Sequence, residues 1–280
     1  MKRKNLSVIL IFMILLVTAG VLGFMKYNET LQTSKTISGK IDIGGYGLNV
    51  RAEGKGKPIV IFESGLGGGY SDWAQVQPEI SKITRTFSYD RAGLSGSDKS
   101  TLPRTSLNQV KELHTLLEKS KVKGPYIIVA HSIGGLNARL FADNYPKEVA
   151  GIVFVDSTHE EILNVFKSKS PEGFEDLKAS YRSPEGNFQD FLTSTGQVRE
   201  TRKKDTLRNI PIIVLSSGKN VMGSENPIIG EWPKLQADIA TLSDKSKLIT
   251  VENAGHMIQN DNPKAVIDAI KELIETVKNK

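Results

Sequence analysis

Short apolar runs alternate with amphipathic stretches along most of this chain, and that alternation restricts the fold more than any other feature. Pro58 to Glu63 (PIVIFE) is uninterrupted enough to be a strand buried on both faces, and Ile83 to Tyr89 is a weaker candidate. Tyr126 to Ala130, Gly151 to Val155, Ile210 to Leu215 and Lys247 to Val251 continue the series. Between them Leu107, Val110, Leu113 and Leu117 recur at helical steps, as do Val266, Ile267, Ile270, Leu273, Ile274 and Val277. Such a pattern predicts an α/β fold with a mostly parallel sheet covered by helices on both faces. Ile37 to Val50 alternates around Gly44-Gly45 as a β-hairpin would.

The pattern lapses between Ser157 and Thr206, where short helical patterns carry Ile162, Leu163, Phe166, Phe174, Phe188, Phe191 and Leu192. Ser-Pro turns at Ser170-Pro171 and Ser183-Pro184 divide them, so residues 157–206 read as a helical insertion in one domain spanning 36–280. Leu6 to Met25 carries no charge and has about the 20 residues a helix needs to cross a bilayer. Lys2, Arg3 and Lys4 precede it, so residues 1–27 are expected to form a membrane anchor with the rest of the chain outside the cytoplasm, joined by a polar linker at 28–35. A cleaved signal peptide, releasing a secreted domain, is the alternative.

Those N-terminal cations inflate the formal charge of +6, and nucleic acid is not suggested as a partner. Without cysteine the chain has no thiolate chemistry and no cysteine zinc site. Its four histidines are scattered and no His-Glu-x-x-His segment occurs, so neither a metal nor a cofactor is expected.

Chemistry is concentrated at Ala130-His131-Ser132-Ile133-Gly134-Gly135, between an apolar strand and an amphipathic helix. Small residues two before and two after Ser132 suit a sharp strand-to-helix turn that exposes a hydroxyl, and the helix start behind it favours developing negative charge. A nucleophilic serine needs a base. His256, in the loop after the last strand, can swing over the sheet, whereas His131 is expected to point away, His159 lies at the edge of the insertion and His114 on a helix. The N–H of Ile133 and that of Leu66, in the glycine-rich Glu63 to Gly69 loop, are the expected oxyanion donors. Nucleotide-binding glycine motifs do not fit that loop.

From Ile37 to Val277 the chain resembles the α/β-hydrolase family, through Ser88 to Asp98 (SYDRAGLSGSD) after the fourth strand, AHSIGG as the nucleophile elbow and NAGH as the histidine loop. The resemblance implies an eight-stranded sheet, with 157–206 as a cap. The loop after the seventh strand, where many members carry the acid, has no Asp and its first carboxylate is Glu225. Asp156, ending the sixth strand, is therefore the expected acid, with Glu225 in reserve and Asp90 and Asp98 structural. Serine at the elbow disfavours epoxide hydrolases and dehalogenases, which use Asp there.

These residues point to a Ser132-His256-Asp156 hydrolase acting on a small acyl substrate, with Phe166, Phe188, Phe191, Trp73 and Trp232 lining an acyl pocket. An ester is favoured over the amide of an aminopeptidase-like enzyme. A non-catalytic binding protein on the same fold is the rival class.

Overall fold

The computed structural model describes residues 36–219 and 230–279, with Thr18 and Ile228. The expected anchor at 1–27 and linker at 28–35 lie outside the described residues except for Thr18, as does Glu225. Among the described residues no helix is long and apolar enough to cross a membrane.

Strands β1 (Ile37–Asp42), β2 (Gly47–Glu53), β3 (Ile59–Glu63), β4 (Thr86–Tyr89), β5 (Tyr126–His131) and β6 (Val149–Val155) share one sheet with two later strands. A two-residue pair, β7 (Arg182–Ser183) and β8 (Gly186–Asn187), stands apart, and β9 (Ile212–Ser217) and β10 (Ser246–Val251) complete the sheet. Its order is β1-β2-β4-β3-β5-β6-β9-β10, eight strands in all. Within this sheet β1 pairs antiparallel with β2 and β2 with β4, while the remaining pairings are parallel.

The uninterrupted apolar runs follow from burial on both faces. Along β3, Ile59 and Ile61 enter one apolar cluster, while Val60 and Phe62 enter the other on the opposite face. On the first face the sheet is covered by α2 (Ser106–Lys119) and α3 (Gly134–Asn144), through Val110, Leu113, Leu136 and Phe141. The second is covered by α1 (Gln77–Ser81) and the C-terminal α8 (Pro263–Lys278), through Ile80, Ile270 and Leu273. Each such side chain contributes roughly 1.5–3 kcal/mol on leaving water.

Two expected strands shift. β4 begins at Thr86 because Ile83, 44% exposed, closes the turn after α1 with its N–H on Ile80 O. β9 begins at Ile212, after Pro211, which has no N–H to give a ladder. Residues 157–206 form α4 (Ile162–Lys169), α5 (Pro171–Ser180), the β7-β8 pair and α6 (Phe188–Arg202). Ile162, Leu163 and Phe188 pack with Trp232 and Leu235 of α7 (Trp232–Ala240), a helix the periodicity did not single out. The cap is thus seated on the main domain by shared apolar packing.

Candidate active site

The elbow forms where β5 must turn at once into α3. Ser132 has φ 51°, in the left-handed region that non-glycine residues rarely occupy, and is held there from both sides. Its N–H donates to Val155 O (3.2 Å) and its C=O accepts from Thr158 N (2.9 Å). The following glycines are needed for close approach. A Cβ at Gly134 would lie 2.7 Å from Glu63 O and 2.8 Å from Ser64 O, and one at Gly135 would lie 2.6 Å from Ser157 Cβ.

Three residues distant in sequence converge above the C-terminal ends of the strands. His256 Nε2 is 3.0 Å from Ser132 Oγ, and its Nδ1 is 2.7 Å from Asp156 Oδ2. Asp156 is fully buried, also with positive φ (44°), and its second oxygen, Oδ1, accepts from Ser217 N (2.8 Å) and the Trp232 indole N–H (2.9 Å). Both carboxylate oxygens are thus occupied as acceptors, which fixes the orientation offered to the imidazole. The Trp232 ring also meets His256 edge-on, with centroids 5.7 Å apart.

His131 does not point away. Its Nε2–H donates to the backbone O of His256 (2.9 Å) and the two rings lie 4.7 Å apart. Burial, followed by the nearby His256 charge, pushes its pKa down to about 4, consistent with a bare, unpartnered Nδ1. Of the remaining histidines, His159 pairs with Asp238 (2.7 Å) and His114 stacks on Tyr145, both away from the serine.

The Ser64–Gly69 loop lies against the elbow, since a Cβ at Gly65 would come within 3.2 Å of Ser132 Cβ. The N–H groups of Leu66 and Ile133 have no hydrogen-bond partner among the described residues. Both residues line one small cavity of about 10 Å³, with Arg91, Tyr181, Glu185 and Phe191 among its walls. Of the expected pocket residues, Phe191 lines this cavity. Trp73 and Trp232 instead hold the site's framework, because Trp73 is fully buried with its indole N–H on Ser64 Oγ (2.9 Å) and Trp232 is spent on Asp156. Asp90 and Asp98 serve structure: Asp90 accepts from Tyr70 N and Asn49 Nδ2, and Asp98 from Lys40 and Gly47 N.

Sequence reading missed the buried cluster of Arg91, Glu63 and Glu185 behind the glycine-rich loop. A signal was present. Glu63 ends an apolar run expected to be buried on both faces, and a buried carboxylate demands a partner. Among the described residues no His, Asp and Glu group suited to a metal ion occurs.

A family profile for the alpha/beta hydrolase fold matches residues 58–203. An uncharacterized Bacillus subtilis protein, YqjL, is 32% identical over 221 residues, 78% of this chain and 84% of that one. The 2-(acetamidomethylene)succinate hydrolase of Mesorhizobium japonicum is 24% identical over 268 residues, covering 85% and 95%. Among solved structures, a thermophilic esterase from Thermogutta terrifontis superposes with a TM-score of 0.62 at 18% identity, covering 87% of this chain and 99% of that one. The chain belongs to the α/β-hydrolase family, and is by class a hydrolase.

Proposed function

We propose that this chain is a serine hydrolase that cleaves carboxylic esters through an acyl-enzyme. The observation that carries the reading is the unbroken hydrogen-bonded path from Ser132 Oγ through His256 to the buried Asp156. His256 Nε2 takes the proton as Ser132 Oγ attacks the ester carbonyl, then returns it to the departing alkoxide. Water, activated by the same nitrogen, releases the acid. Asp156 keeps Nδ1 protonated and stabilises the imidazolium that forms at each step.

The oxyanion is received by the N–H groups of Leu66 and Ile133, which are unspent in hydrogen bonding. Losing one such donor costs about 10²–10³ in kcat in serine hydrolases, so two account for a large share of the barrier reduction. A membrane tether that leaves the domain outside the cytoplasm is part of the same proposal, supported by the uncharged Leu6 to Met25 run behind Lys2, Arg3 and Lys4.

The test is fluorophosphonate labelling of the full-length chain in mild detergent, beside hydrolysis of a series of esters, thioesters and amides. Covalent labelling that disappears in Ser132→Ala, with esters turned over faster than amides, is the expected result. Absence of labelling in the wild type would favour a binding protein on this fold, and amide preference would move the substrate class.

A further inference from the structure

Three ionisable side chains, none of them used in the steps above, meet behind the Ser64–Gly69 loop. Arg91, Glu63 and Glu185 are each no more than 2% exposed. All five N–H groups of the Arg91 guanidinium are engaged. Nε donates to Glu185 Oε1, Nη1 to Glu63 Oε1 (2.8 Å) and Ser64 O (2.7 Å), and Nη2 to Gly65 O (2.5 Å) and Glu185 Oε2 (2.9 Å). Glu63 is further satisfied by the Tyr89 hydroxyl (2.7 Å) and the Asn137 amide (2.8 Å).

Glu63 ends β3 and Arg91 follows β4, so that pair belongs to the main domain and is already neutral. Glu185 comes from elsewhere. It sits on the turn between β7 and β8, in the cap, and adds a second carboxylate to a buried site whose cation already has a partner. A second buried carboxylate beside one guanidinium has a desolvation cost, which its hydrogen bonds to Arg91 and to the Gly67 N–H offset. The turn is also closely seated on the main domain, since a Cβ at Gly93 would lie 2.9 Å from Pro184 O.

Peptide geometry shows what the second carboxylate does. Gly65 C=O and Leu66 N–H belong to one planar trans unit, so anchoring that oxygen on Arg91 aims the Leu66 N–H the opposite way. The next N–H, of Gly67, donates to Glu185 Oε2 at 2.6 Å, at a residue whose φ of 73° suits glycine. Two adjacent peptides are thus held by Arg91 and Glu185, while the Leu66 N–H between them stays unspent.

We infer that Glu185 is a positioning residue: the cap's carboxylate clamps the oxyanion loop against Arg91, so that the Leu66 donor is in place only while the cap is seated. This rests on the hydrolase reading above for its catalytic consequence. Substrate entry that lifts the β7-β8 turn releases Gly67 and two of the five Arg91 hydrogen bonds, and closure over bound ester restores them.

The experiment compares full-length wild type with Glu185→Gln, whose amide would set N–H against the Arg91 donors. Ester kcat is expected to fall about tenfold or more, with KM within about threefold, because the lost interaction acts on the transition state. Hydrogen exchange in residues 64–69 is expected to accelerate. A higher KM with unchanged kcat would make Glu185 a cap anchor only, and unchanged exchange in 64–69 would overturn the clamp. Should Glu185→Gln fail to fold, Glu185→Asp, which keeps the charge but withdraws it, is expected to show the same split at smaller size, and its absence would equally overturn the inference. If wild type hydrolysed no ester, the hydrolase reading would fall, and the exchange measurement would still decide whether Glu185 holds the loop.

Discussion

Asp156 Oδ2 lies 2.7 Å from Nδ1 of His256, a residue 100 positions further along the chain. The carboxylate stands at the end of β6 rather than after β9, and it reaches the imidazole because its own backbone is turned into positive φ. Asp156→Asn would present an amide N–H to Nδ1 and select the wrong tautomer. Ester kcat is expected to fall on the order of 10³–10⁴-fold, while Glu225→Gln leaves it within about twofold. Steady-state kinetics on the two variants checks the assignment, and the reverse ranking would reject it.

Trp232 supports the same carboxylate from its other oxygen. Trp232→Phe keeps an aromatic ring at this position but deletes the indole N–H along with part of the ring system, leaving Asp156 Oδ1 with Ser217 N alone. Loss of one hydrogen bond to a charged group is worth about 1.5–3 kcal/mol. The expected result is a drop in kcat of roughly tenfold to hundredfold with labelling of Ser132 slowed in parallel.

Gly134 is a steric rather than a chemical requirement. In Gly134→Ala the new methyl would meet the backbone oxygens of Glu63 and Ser64 below 3 Å. Those atoms begin the glycine-rich Glu63–Gly69 loop, so relief of the clash displaces it. A lower melting temperature and a fall in kcat are expected together; a variant as stable and active as wild type would show that the loop yields freely.

His131 gives the fold a dependence on acid. Its folded pKa of about 4 lies below the ordinary 6.5, so between these values the unfolded chain binds a proton that the folded one does not. The stability His131 contributes is therefore complete above pH 6.5 and is lost as pH falls toward 4, by about 3 kcal/mol over the window. Denaturant titrations should show that His131→Gln loses less stability than wild type between pH 7 and pH 4.5. Parallel losses would mean the imidazole does not titrate in this range.

How far the site was legible varied by residue. Ser132 was readable because the elbow is a local device: small flanking residues, a strand before and a helix after are all in adjacent sequence. His256 was readable through its place after the final strand. The role of His131 was not, because its ring direction depends on the His256 backbone 125 residues away. Trp73 and Trp232 looked like pocket walls from their size, but an indole N–H seeks an acceptor when buried, and Ser64 and Asp156 supply one each.

The sequence by itself determined the layering and the elbow, since apolar periodicity specifies which faces leave water and steric demand specifies what can follow a strand that turns sharply. Only the tertiary structure decided which carboxylate meets the imidazole and that a cap residue reaches beneath the glycine-rich loop. Hydrogen bonds and ion pairs work over about 3 Å, and no pattern in one dimension records which distant side chains a fold brings within that range.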